Sequence, residues 1–156
     1  MGTGLAWILL ALLALMLIAA SVWDLRTRTI PNSLVAAVAL LAFPFWWASG
    51  LPLWPDAALQ LGVAILVFGV FAAAFAMGAM GGGDVKLIGA IALWLPWQAV
   101  LALLVIMSLA GGALTAAMLI RKRLARSEAA IEVPYGVAIA FGGLWLIAQR
   151  FLYHFG

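Results

Sequence analysis

The chain has 156 residues, 69% of them hydrophobic and 8% charged, with a net charge of +3. A soluble domain carries roughly 45–50% apolar residues, so these few charges exclude a soluble globule and make the bilayer the solvent. The small positive excess is no nucleic-acid signature, and the lack of cysteine excludes a disulfide, a thiolate nucleophile and a Cys-based metal site.

A helix needs about 20 apolar residues to cross the hydrocarbon core. Leu5–Trp23 is the first such run. It lacks the basic flank and small-residue cleavage site of a secretory signal and reads as a retained span. Leu34–Leu51 is the second, with Pro44 inside it and Trp46-Trp47 near its far end, where aromatics favour the interface. A turn over Leu51–Asp56 leads to the third span, Ala57–Met80, interrupted by Gln60. Gly81-Gly82-Gly83 breaks it, and Asp84–Leu95 follows. These 12 residues make a helix of about 18 Å, too short to cross unless it tilts, runs on through Pro96 or starts in a cavity. Ala99–Ile120 is the fifth span, Arg121–Glu132 a charged loop, and Val133–Phe151 the sixth span. The expected fold is all-α, a polytopic membrane protein of about six helices forming a single domain over residues 1–156.

Six spans put both termini on one side of the membrane. The loops after spans one, three and five then share the other side. They hold Arg26, Arg28, Lys86, Arg121, Lys122, Arg123 and Arg126, seven of the eight basic residues, with Arg150 opposite. The positive-inside rule makes these loops cytoplasmic. Asp24 and Asp84 fall on that side and Asp56 on the other.

Carboxylates beside membrane segments are expensive to retain and are functional candidates by default. Two that share a site cannot both ionise cheaply; one keeps its proton while the other takes a proton from water. Such a pair can hydrolyse a peptide bond without metal, thiol or serine. Asp84 opens a helix, where the macrodipole favours a carboxylate. Asp24 closes one, where it is disfavoured, and Arg26 and Arg28 oppose that effect. Gly81, Gly82 and Gly83 are expected to allow positive φ, a broken helix at membrane depth and close approach of a substrate strand.

Asp24-Leu25-Arg26 with Ile30-Pro31-Asn32, and Gly81-Gly82-Gly83-Asp84-Val85-Lys86-Leu87, resemble the two signature regions of type IV prepilin peptidases. These are membrane aspartic proteases with the Gly-x-Gly-Asp pattern, which presenilin-like intramembrane proteases share. Val133-Pro134-Tyr135-Gly136-Val137-Ala138 resembles a third recurring segment. The likeness is to the short, Tad/Flp-pilus type. It implies that Asp24 and Asp84 are the catalytic pair, with Gly81, Gly82, Gly83, Lys86, Pro134, Tyr135 and Gly136 binding substrate or shaping the site. It further implies no cofactor and no metal. The implied substrate is a prepilin or pseudopilin whose leader is cut at the cytoplasmic face of a bacterial inner membrane, typically after a glycine. The implied partners are that substrate, the bilayer and pilus assembly machinery. Longer members carry an extra cytoplasmic segment with paired CxxC motifs; this chain has no cysteine, which puts N-methylation in doubt.

Plainer readings accompany several of these residues. Pro31 and Asn32 suit the first turn of span two. Lys86 suits a headgroup anchor by snorkelling, or a cation that holds a nearby carboxylate ionised. Arg121–Arg126 is a topology anchor with anionic-lipid contact as a second role, Asp56 an N-cap for span three, and the sole histidine, His154, no metal ligand. The rival classes are a non-enzymatic transporter or channel, which also uses broken helices and acids, and a structural subunit of a secretion complex.

Overall fold

The computed structural model describes residues 2–126 and 130–155. Residues 127–129 of the expected Arg121–Glu132 loop and the side chain of His154 lie outside the described residues. Among the described residues six α-helices follow in order: α1 Gly2–Thr27, α2 Asn32–Ala48, α3 Ala58–Ala76, α4 Gly82–Ala92, α5 Trp97–Leu124 and α6 Tyr135–Phe155. A wide five-residue turn, Leu53–Ala57, leads into α3. No strand occurs among the described residues.

Four of these helical segments are long and apolar enough to cross a membrane: Gly4–Thr27, Leu53–Ala76, Trp97–Leu124 and Tyr135–Tyr153. α2 has 17 residues and α4 has 11, so the expected six spans reduce to four of full length and two short helices. Large apolar side chains cover much of the outside of the molecule as well as its core. Ile8, Leu15, Leu40, Leu66, Val105 and Leu109 are all exposed, as expected of a membrane protein whose helices associate by packing rather than by escape from water.

α4 lies between α2, α3 and α6. Its residues Val85 and Leu87 through Ala92 are all buried, which resolves the problem of its length. A helix that stops inside a bilayer leaves carbonyls that only protein can satisfy. Here the Leu93 carbonyl accepts from Trp46 Nε1 at 2.7 Å and from Gln60 Nε2 at 2.6 Å. Trp94, also buried, donates its Nε1 to the Val38 carbonyl at 2.8 Å. The short helix is pinned at its far end by side chains of its neighbours.

Several boundaries differ from those expected, each for a local reason. α1 runs past Trp23, so Asp24 sits within the helix rather than after it. Arg28 ends α1 at φ 55°, with its N–H on the Asp24 carbonyl at 3.0 Å, a left-handed termination. α3 stops at Ala76 instead of Met80 because Gly78, at φ 74°, closes it; Ala79 N–H reaches back to the Ala74 carbonyl at 2.9 Å. α5 continues through Arg121, Lys122 and Arg123, good helix formers whose charge suits a C-terminus. Asp56 is exposed in the wide turn and makes no N-cap; the α3 cap position is Ala57, without a side-chain hydrogen bond.

Candidate active site

Asp24 projects from the last turns of α1 into the bundle. It is 5% exposed, one of two buried polar side chains recorded among the described residues; the other is Gln60. The backbone N–H groups of Gly136 and Val137, in the first turn of α6, face its carboxyl group, and the Arg28 guanidinium acts on it from the surface. Its Oδ2 is buried with no hydrogen-bond partner. Buried polar atoms are rarely left so.

Asp84 stands in the first turn of α4 and is partly exposed. Its Oδ2 folds back over Gly81, the cap residue, so closely that a Cβ there would lie 3.1 Å from it. The two carboxyl groups are close enough for Asp24 to act electrostatically on Asp84. Ile30, buried just after α1, forms a wall shared by both. Its Cδ1 would lie 3.0 Å from a Cβ on Gly136, and its Cβ and backbone N 3.4 Å from a Cβ on Gly83. Three chain segments thus meet at the end of the bundle that holds Arg26, Arg28 and Lys86: the end of α1 with Ile30, the start of α4 and the start of α6.

A family model described as the type IV leader peptidase family matches residues 11–116. The chain belongs to the type IV leader peptidase family. No curated protein matches it, and no solved structure matches it. The matched stretch contains Asp24 and Asp84 and ends before Pro134. The start of α6 lies outside the matched stretch; the resemblance of Val133–Ala138 pointed to it, and the fold brings Gly136 and Val137 to Asp24.

The remaining site residues divide. Gly81, Gly82 and Gly83 do not have the positive φ expected of them. Gly81 is extended (φ −74°, ψ 144°), while Gly82 and Gly83 are already helical; the left-handed turn is made upstream at Gly78. Their lack of a side chain serves close approach instead, to Asp84, Phe75 and Ile30 respectively. Lys86 donates to Asn32 Oδ1 at 3.0 Å, so its ammonium is held by α2 rather than by a carboxylate. Pro134 is buried, and the Tyr135 ring rests against Gly111 of α5, 3.1 Å from where a Cβ would be. Of Pro134, Tyr135 and Gly136, it is Gly136 that reaches the carboxyl pair, together with the backbone N–H of Val137.

Four residues that were not expected as site residues brace the site. Ile30 partitions it, Asn32 receives Lys86, and Trp46 and Gln60 fix α4. Gln60 had a legible signal: an amide inside an apolar span must find a partner. Beside Lys86 a groove of about 500 Å³ runs between α2, α3 and α4, floored by Ala36, Ala39, Ala64, Gly89 and Ala90. Among the described residues no group of three or more His, Cys, Asp or Glu side chains assembles.

Proposed function

We propose that residues 1–156 act as a membrane-embedded aspartic endopeptidase with Asp24 and Asp84 as its catalytic pair. Its substrate is the leader of a type IV, Flp-like prepilin, cut at the cytoplasmic face of a bacterial inner membrane. One observation carries the reading. Two carboxyl groups from α1 and α4 converge at the basic end of the bundle, and one of them has a buried, unpartnered oxygen.

The chemistry follows from that pairing. An ionised carboxylate takes a proton from water as the water attacks the scissile carbonyl carbon. The protonated partner gives its proton to the carbonyl oxygen, forming a neutral diol. Collapse breaks the C–N bond. The proton first taken from water goes to the leaving amine, and the other returns from the diol to the second carboxyl. Each carboxyl thus ends in its starting state. The clustering of Arg26, Arg28, Lys86 and Arg121–Arg123 at one end supports the cytoplasmic assignment. Pilus assembly machinery would take the mature product.

The test is cleavage of a purified Flp-like prepilin by wild type, Asp24→Asn and Asp84→Asn at matched membrane levels. Each substitution keeps the shape of the side chain and removes its acid–base function. Each is expected to abolish cleavage while insertion and thermal stability persist. Substantial activity in either variant would sink the pair and reopen the transporter and structural-subunit readings.

A further inference from the structure

We propose that Gly136 is a positioning residue for Asp24, and that the space left by its missing side chain is the seat of the Asp24 carboxyl group. The inference rests on the catalytic reading of Asp24 and adds a residue that lies outside the stretch matched by the family model.

A Cβ built on Gly136 would stand 2.8 Å from Asp24 Oδ2 and 2.9 Å from Asp24 Cγ. No real methyl group tolerates such contacts, so one side must move. The backbone of Gly136 is fixed within α6, and Pro134 beneath it is buried. The atoms that can yield are the carboxyl group and, 3.0 Å away, Ile30 Cδ1. Asp24 has one carbon between its backbone and its carboxyl group, so yielding means swinging the carboxyl out of its place.

That place has a physical identity. The first N–H groups of a helix have no intrahelical partner and attract negative charge. In α6 the N–H groups of Tyr135 and Val137 reach the carbonyls of Val133 at 2.9 Å and Pro134 at 3.1 Å. The N–H of Gly136, with that of Val137, faces Asp24. The carboxyl lies against the start of a 21-residue helix with its Oδ2 buried and unpartnered. Only a residue without a side chain lets a carboxylate from a neighbouring helix approach this turn so closely.

The same helix supplies a control. A Cβ on Gly143 would meet Leu17 Cδ1 at 2.8 Å, with the next atoms, both of Ile91, at 3.8 and 4.0 Å, and neither aspartate among its nearest neighbours. There the yielding atom is the far end of a flexible apolar side chain and not a carboxyl group, so any cost falls on packing and leaves Asp24 in place.

The experiment compares Gly136→Ala with Gly143→Ala in membranes, using a purified prepilin as substrate. Gly136→Ala is expected to lower kcat at least about tenfold with KM within about twofold of wild type, the signature of a lost transition-state contact. Gly143→Ala is expected to stay near wild type. A thermal series reports independently of activity. Gly136→Ala should lower the midpoint in the wild-type background by about 4 °C or more, and by little when Asp24 is Ala, since the clash is with that carboxyl. Equal destabilisation in both backgrounds overturns the proposal. So does restoration of Gly136→Ala by Ile30→Val, which would place the effect on apolar packing. Wild-type kcat in Gly136→Ala beside an inactive Asp24→Asn defeats this proposal alone; an active Asp24→Asn defeats the catalytic reading with it.

Discussion

Gln60 of α3 donates to the Leu93 carbonyl at the end of α4, 2.6 Å away, and so anchors from behind the helix whose first turn presents Asp84. Trp46 of α2 shares the same acceptor. Loss of one donor leaves that carbonyl satisfied by the other; loss of both leaves it bare inside the bundle. Gln60→Leu or Trp46→Phe alone is expected to cost about 1 kcal/mol, the usual scale for such bonds in membrane proteins. The double variant should cost more than the sum. Thermal unfolding in detergent micelles measures both, and strict additivity would show that the two donors do not share one acceptor.

The glycine run makes a graded prediction. Gly83 is helical, so alanine there meets no φ barrier, and its Cβ would sit 3.4 Å from Ile30. The two further methyl groups of valine must go against the Ile30 backbone or into the approach to Asp84. Cleavage rates at matched enzyme levels should fall in the order Gly, Ala, Val, with Gly83→Val losing more than about tenfold. Wild-type rates in the valine variant would mean that nothing approaches α4 closely at this turn.

Lys86 tests a different distinction. Its bond to Asn32 is exposed, and exposed charged contacts contribute less than about 1 kcal/mol. Lys86→Met and Asn32→Ala should therefore each change the cleavage rate by less than about fivefold, and the two together should be no worse than Lys86→Met alone. A hundredfold loss in Lys86→Met with Asn32→Ala unaffected would return the lysine to the carboxylates.

Orientation is expected to follow charge. Reporter fusions after residues 28, 84 and 126 are expected on the cytoplasmic side, and fusions near 55 and 97 on the opposite side. Arg150, the one basic residue at the far end, stacks over the Phe45 ring at 5.5 Å and so does not depend on that face for its partner. A periplasmic signal after residue 126 would reverse the molecule and remove the leader from reach of the pair.

The sequence by itself determined the solvent and the chemistry on offer. Its composition left only a membrane, its runs and breaks marked six helices, and two aspartates at the ends of apolar runs were its candidate pair. These are local or compositional properties, and each is written in adjacent residues. What the sequence could not state was distance. That α1 ends on the start of α6, so that Gly136 makes room for Asp24, depends on packing between segments more than a hundred residues apart. That the glycines before Asp84 serve close approach, with Gly78 making the turn, depends on where α3 found its terminating hydrogen bonds. That an 11-residue helix can sit within the bundle depends on Trp46 and Gln60 reaching its last carbonyl. In a bilayer a backbone group must find its partner inside the protein. Only the assembled bundle decides which side chain supplies it.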